Sequence, residues 1–271
     1  MQGASRASLA VGRRRLDALG TELAEDALMG LADDLFAAVR LLDGEHGLRR
    51  TLSDPGLPGE AKQNVIAQLL GSQMSPAAVG VVQALAAGRW SRSVDLVDSI
   101  ERLAVEALFA RAERAGSLDE VEDQLFRFGR IVDREPALWA ALADPTLPTE
   151  NKLELVHALL AGKVTPVSLR LIDSVVRQPR GRAVDEAVAE LARLAAERQS
   201  RYIADVHATV ELTEAERARL TDRLGAMFDH DVRLQVSIDP ALVGGIVIRV
   251  GDEVIDGSVA TRLSQALRGL T

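Results

Sequence analysis

A mainly α chain with a small α+β domain at its C-terminal end is the fold class that this sequence predicts. The arrangement is two tandem antiparallel helical bundles, then a βαβββ-like unit with a closing helix. Three observations carry it. Up to about residue 200, apolar residues recur at three- and four-residue steps, the spacing that lines one face of a helix. A block within that region is repeated: Leu52, Asp54, Pro55, Leu57, Pro58, Glu60 and Lys62 return in order as Leu142, Asp144, Pro145, Leu147, Pro148, Glu150 and Lys152. Beyond residue 200 the apolar period shortens to two, as half-buried strands require. The division that follows is a first bundle over 1–103, a second over 104–200, and the C-terminal domain over 201–271.

Each copy reads as roughly six helices with short antiparallel connections. The first opens with a helix from Ser5 to Leu19, arginine-studded and weakly apolar; its counterpart runs from Ala104 to Glu113 on an alanine-rich background. Leu31, Leu35, Val39 and Leu42 then mark the next helix, as do Val121, Leu125, Phe128 and Ile131. Asp-Pro and Leu-Pro end helices, because the residue before proline is pushed out of the α region. A further helix starts near Glu60, and again near Glu150, closing at Gly71 and Gly162. Ser75-Pro76 and Thr165-Pro166 are N-caps followed by proline at the first helical position. The last helix of each copy runs from about Val94 and about Val184.

In the C-terminal domain, Tyr202 to Leu212 alternates as a strand, and Thr213 with Glu216 forms a capping box for a helix through Phe228. Val232 to Ile238 is a second strand, and Asp239-Pro240 ends it. Gly244-Gly245 then leads into Ile246–Val250, Gly251-Asp252 makes a tight turn, and Glu253–Ile255 returns. Asp256-Gly257 stops that strand, and Ser258 caps a closing helix from Val259 to Leu267.

Composition excludes several classes. The chain has 271 residues, 47% of them hydrophobic, which suits a folded core and argues against disorder. Aromatics make up 3%, too few for stacking on sugars, bases or flat cofactors. A net charge of −8 opposes general binding of nucleic acid or anionic lipid. Cysteine is absent, so disulfides, thiolate metal sites and cysteine nucleophiles are excluded. The stretch from Met1 to Arg15 lacks an apolar core of signal-peptide length, and no run reaches the roughly 20 apolar residues that span a bilayer.

The candidate chemistry is thin. His46, His157, His207 and His230 are scattered without metal-ligand spacing, so no metal is expected. Gly244-Gly245 precedes a strand and no P-loop lysine follows, which speaks against a phosphate cradle and leaves no expected cofactor. Asp252 and Asp256 read as a turn acid and a capping acid, not as a catalytic pair. Arg13-Arg14-Arg15, Arg89 with Arg92, and Arg177-Arg180-Arg182 are basic clusters, either solvated faces or contacts to acidic partner helices. No catalytic residue is expected.

One ordered set of residues carries a family resemblance: Gly244, Gly245, Gly251, Asp252, Val254, Ile255, Asp256, Gly257 and Ser258, followed by Arg262 and Leu263. Together they resemble the C-terminal signature of the delta subunit of F-type ATP synthases, the oligomycin-sensitivity-conferring protein of mitochondria. The resemblance implies a non-catalytic peripheral-stalk subunit, present once in a hetero-oligomeric complex and peripheral to the cytoplasmic side of the cell membrane. It implies two partners, the N-terminal helix of the catalytic head's alpha subunit and the stalk's b-type subunits. In the family the head helix lies in a groove of the N-terminal bundle. Here Val105, Leu108, Phe109 and Ala112, with Val121 and Leu125, are the candidate anchors, which favours the second copy as the head-binding one. The first copy has Ser8, Leu9 and Ala10 in its opening helix and no aromatic. The stalk contact would use the closing helix, where Leu263, Ala266, Leu267 and Leu270 form one stripe. The extra copy, a departure from the one-bundle pattern, is expected to lengthen or replace stalk contacts. A helical-repeat adaptor without a motor and an arginine-rich nucleic-acid binder are the competing classes; the terminal signature and the net charge disfavour them.

Overall fold

The computed structural model describes residues 3–200, 203–228, 232–239, 242, 244–250 and 253–256. Among these run α1 Gly3–Glu22, α2 Glu25–Gly44, α3 His46–Ser53, α4 Gly59–Leu70, α5 Pro76–Ala86 and α6 Ser93–Arg114. Then follow α7 Leu118–Arg134, α8 Pro136–Ala143, α9 Thr149–Leu160, α10 Pro166–Arg177 and α11 Val184–Ser200. The remainder is β1 Ile203–Ala208, α12 Glu214–Phe228, β2 Arg233–Ile238, β3 Ile246–Val250 and β4 Glu253–Asp256. The chain forms two compact units, 1–192 and 193–271, and the division falls inside α11.

The repeat in sequence is a repeat in local chemistry. α3, α4 and α5 begin at 46, 59 and 76, and α8, α9 and α10 at 136, 149 and 166. Asp54 and Asp144 close α3 and α8, and their Oδ1 atoms accept the N–H groups of Gly56 and Thr146, both at 2.8 Å. Ser75 Oγ accepts the N–H of Ala78 at 3.3 Å, and Thr165 Oγ1 that of Ser168 at 3.2 Å, each with proline at the first helical position. The backbone N–H of each cap donates to the preceding long helix, to Asp34 Oδ2 and to Gln124 Oε1, both at 2.8 Å. Each cap therefore satisfies orphan donors and pins one helix end to another helix.

One element differs from the expectation. The helices expected from Val94 and over Ala104–Glu113 are a single helix, α6, and Ala104 lies in its middle. The stretch Ser93–Arg114 holds neither glycine nor proline and is rich in Ala, Leu and Glu, so nothing interrupts it. In the frame of the repeat α6 corresponds both to α1 and to α11. It is the last helix of one copy and the first of the next.

A helix serving two copies must be apolar on nearly all sides. Leu96, Val97, Ile100, Leu103, Ala104, Val105, Ala107, Leu108, Phe109 and Ala112 are all buried. α2 lies along it, α1, α3 and α5 pack on the first-copy side, and α7 and α10 on the other. α1 comes in very close at Gly12, where a Cβ would lie 2.6 Å from Leu85 Cδ2 and 2.7 Å from Leu103 Cδ1. Its buried polar groups are matched: Ser5 Oγ donates to Asp95 Oδ2 at 2.8 Å and accepts the N–H of Ser91 at 2.9 Å. Ser8 Oγ donates to Arg89 O at 2.8 Å and accepts the N–H of Arg89 at 3.0 Å.

The second unit holds a four-stranded sheet in the order β2-β1-β3-β4. β1 and β2 are parallel and connected through α12; β3 is antiparallel to both β1 and β4. Ala204, Val206, Ile248 and Val250 face the core with Leu224 of α12 and Val232. The capping box is formed: the Thr213 N–H donates to Glu216 Oε2 at 2.9 Å, and Thr213 Oγ1 accepts the N–H of Glu216 at 3.3 Å. β1 is shorter than the expected strand from Tyr202 to Leu212.

The two caps do the same work in separate copies. Ser75→Ala and Thr165→Ala should each lower the unfolding free energy by about 1 kcal/mol, and the double variant by close to the sum. Urea titrations of the four proteins measure this; strong non-additivity would contradict independent caps.

Candidate functional site

Among the described residues no group of three or more His, Cys, Asp and Glu could hold a metal ion. The histidines there make structural contacts. His157 Nε2 lies 2.8 Å from Asp173 Oδ1, His207 Nδ1 lies 2.9 Å from Ser237 Oγ, and His46 Nδ1 is 3.4 Å from Gly44 O.

The terminal signature is partly placed. Gly244 and Gly245 lead into β3, and Gly245 has φ 87°, the left-handed region that glycine enters at no steric cost. Val254 stands opposite Arg249 and is exposed; Ile255 stands opposite Ile248 and is half-buried; Asp256 stands opposite Val247. Gly251, Asp252, Gly257, Ser258, Arg262, Leu263, Leu267 and Leu270 lie outside the described residues, as does the expected closing helix.

The candidate anchors in the second copy are brought together, but inward. Val105, Leu108, Phe109 and Ala112 on α6 and Val121 and Leu125 on α7 are all buried. Their apolar surface is taken up in packing α6 and α7 against neighbouring helices. For the four on α6 the reason is its double use: elements of both copies pack against it. Exposed apolar side chains of the second copy are Phe126 and Ile131 on α7, Trp139 on α8 and Leu159 on α9. α8 reads Pro-Ala-Leu-Trp-Ala-Ala-Leu-Ala, where α3 reads His-Gly-Leu-Arg-Arg-Thr-Leu-Ser. The same helix is therefore apolar and outward-facing in one copy and polar in the other.

Of the clustered arginines, Arg13, Arg180 and Arg182 are half-buried in ion pairs, while Arg14, Arg15, Arg89, Arg92 and Arg177 are exposed. Arg13 grips Glu106 through Nε and Nη2, at 3.0 and 2.7 Å from Oε1, and Arg102 Nε adds 2.9 Å. Burial alone would raise the Glu106 carboxyl; the hydrogen bond and charge of Arg13, with Arg102, outweigh it and hold the group below the usual carboxylate range. Arg177 pairs with Glu150 at 3.0 Å. Arg180, in the connection from α10 to α11, crosses to the first copy and to α6: Nη1 is 2.7 Å from Glu101 Oε2, Nη2 is 2.9 Å from Asp98 Oδ1, and Nε is 3.7 Å from Asp43 Oδ2. Arg182 also pairs with Glu101, and Gln178 Nε2 donates to Asp43 Oδ2 at 3.0 Å. Arg180 adopts φ 52°, a left-handed conformation costly for a residue with a Cβ. Three carboxylates around one guanidinium hold it there. Sequence clusters alone did not reveal this junction; a comparison of the two copies does, since Trp90 stands where the second copy has Arg180.

Among the described residues the chain is a helical scaffold tied by internal ion pairs, with scattered outward apolar residues. Residues 100–270 match the family of the ATP synthase delta (OSCP) subunit, and the chain belongs to that family. Relatives match end to end. An ATP synthase subunit delta of Parafrankia sp. (strain EAN1pec) is 45% identical, with 100% of each chain covered. That of Streptomyces griseus subsp. griseus is 45% identical over 99% of this chain and 98% of its own. The Thermobifida fusca subunit is 44% identical over 100% of this chain and 99% of its own. A chain of the Toxoplasma gondii mitochondrial ATP synthase hexamer covers 61% of this chain and 94% of that chain at 19% identity, with a TM-score of 0.33. The family match begins inside α6 and takes in the second copy and the C-terminal unit.

Two outcomes follow from the ion pairs. Arg180→Ala should cost about 2–3 kcal/mol, less than a fully buried pair because its acids are partly solvated, and Arg180→Lys should recover only part of it because the planar fork is lost. Denaturation at low and high salt checks this; an unchanged midpoint for Arg180→Ala would contradict the junction. The depressed Glu106 adds stability above its ordinary carboxyl value, and that contribution is lost as the pH falls through its lower folded value. Glu106→Gln should therefore flatten the acid limb of the stability profile, as measured by thermal melts from neutral pH downward.

Proposed function

We propose that this chain is the delta subunit of the peripheral stalk of a proton-translocating F-type ATP synthase, peripheral to the cytoplasmic face of the cell membrane. It joins the catalytic head to the membrane-anchored stalk and opposes the torque that the rotor applies during ATP synthesis. Full-length identity of 45% to proteins named ATP synthase subunit delta is the observation that carries the reading. None of the described helices is long and apolar enough to cross a membrane, which fits attachment through partners.

The head contact, to the N-terminal helix of an alpha subunit, is assigned to the second copy. Its support is the extent of the family match, 100–270, and the apolar exterior of α8 with its exposed Trp139. The first copy lengthens the strut and takes stalk contacts, and the C-terminal unit meets the b-type stalk subunits. Several modest contacts act together here, because binding at one end raises the effective concentration at the other.

Membranes depleted of this chain should regain ATP-driven proton pumping when the purified protein is returned. Trp139→Glu with Leu159→Glu should weaken head binding about tenfold or more, while Leu57→Glu with Leu69→Glu should not. Full coupling in its absence would overturn the reading, as would ATP hydrolysis by the chain alone; the reverse pattern of variants would move the head contact to the first copy.

A further inference from the structure

Asp-Gly occurs at two places in this chain, Asp43-Gly44 and Asp256-Gly257. The dipeptide carries a latent chemistry of its own. The backbone nitrogen that follows an aspartate can attack that residue's Cγ, and glycine, with no Cβ, leaves the nitrogen unshielded. The N–Cγ bond forms, the C–OH bond of the protonated carboxyl breaks, and the hydroxyl leaves as water with the amide hydrogen. Water then opens the succinimide ring at either carbonyl. One opening restores aspartate; the other leads the main chain through the side-chain carbons and gives isoaspartate. No oxidant, reductant or cofactor enters the step. It does require a backbone that can turn and a carboxyl that can swing onto it.

The fold meets these requirements unequally at the two places. Asp43 lies in the last turn of α2 and Gly44 is that helix's final residue, so the nitrogen that would attack is held in the helix ladder. Both oxygens of the Asp43 carboxylate are also engaged. Arg49 Nη1 is 3.4 Å from Oδ1, Gln178 Nε2 donates to Oδ2 at 3.0 Å, and Arg180 Nε is 3.7 Å from Oδ2. The first and second copies thus close on this side chain from two directions.

Asp256 is placed differently. It is the last residue of β4, a strand of four residues at the edge of the sheet, paired with β3 alone. Its own register partner, Val247, is the final pair of that ladder, and its side chain is exposed, as is that of Val254 on the same face. The end of a short edge strand opens at little cost in free energy, because few contacts must be given up.

We propose that Asp256 is a site of spontaneous isoaspartate formation, and that Asp43, in the same dipeptide, is kept out of this reaction by the fold. The product adds a methylene to the main chain and leaves the α-carboxylate as a side branch. The change falls at the exit from the sheet, ahead of Arg262 and Leu263. The freed α-carboxylate suits one class of consuming reaction, methyl transfer from S-adenosylmethionine to a carboxylate oxygen. The ester so formed loses methanol as the succinimide closes again, which returns part of the material to aspartate.

The full chain, held for days in warm neutral buffer, tests this. Aliquots are treated with an isoaspartyl methyltransferase and labelled S-adenosylmethionine, then cleaved after arginine, which releases residues 41–49 and 250–262. In the folded protein the label in 250–262 should exceed that in 41–49 by about tenfold or more, and in urea the two should label alike. Asp256→Glu should abolish label in 250–262 with an unchanged melting temperature, because ring closure on the longer side chain is far slower. No label in 250–262 from the folded chain overturns the proposal. Equal label in both peptides before denaturation also overturns it, since the dipeptide alone would then decide. A 41–49 peptide that stays unlabelled in urea contradicts protection by the fold.

Discussion

The burial of α6 from two sides is the constraint on which the rest of this chain depends. A helix shared by two bundles has no solvent face to spare, so its apolar residues run around most of the cylinder. The polar residues it does bury must be matched within the protein, because an unpaired charge there costs several kcal/mol. Asp95 is met by Ser5 and Arg92, and Glu106 by Arg13 and Arg102. Asp98 and Glu101 wait at the edge for Arg180. Ser5 and Arg13 tie α1 to α6, and Arg180 ties the turn after α10 to it, so the helix that joins the copies also orients them.

That arrangement gives the duplication a mechanical meaning. Two bundles connected by a flexible linker would swing, and a stator that swings stores no useful opposition to torque. Two bundles that share a helix move together. The junction at Arg180 adds a second, lateral tie, and it is strong enough to hold a residue with a Cβ at positive φ. The family match starts within α6, the helix that opens the second copy.

Much of this was legible in the residues. Asp-Pro, Leu-Pro and the Ser-Pro and Thr-Pro caps mark backbone geometry directly, and they fall where the helices begin and end. The period of two after residue 200 and the Thr213–Glu216 box locate β1, α12 and β2, because those signals are local. Periodicity also identifies which face of a helix is apolar. It does not say what covers that face, and there the sequence reading was weakest. Val105, Leu108 and Phe109 had the spacing of a partner's anchors, and so does any core stripe. Arg177, Arg180 and Arg182 looked like one basic patch, yet they reach four acids, Glu150, Asp43, Asp98 and Glu101, on three other helices. The missing information was the pairing of copies, and it lay in the repeat itself: aligning Trp90 with Arg180, or Asp98 with Val188, shows where the copies stop being equivalent.

Native-state hydrogen exchange across α6 tests the central claim most directly. If the helix is common property, amides in its first half, 95–103, and its second half, 104–112, should exchange through one opening, with the same free energy and the same response to denaturant. Separate openings for the two halves would mean two independent bundles joined end to end, and the account of a single strut would fail.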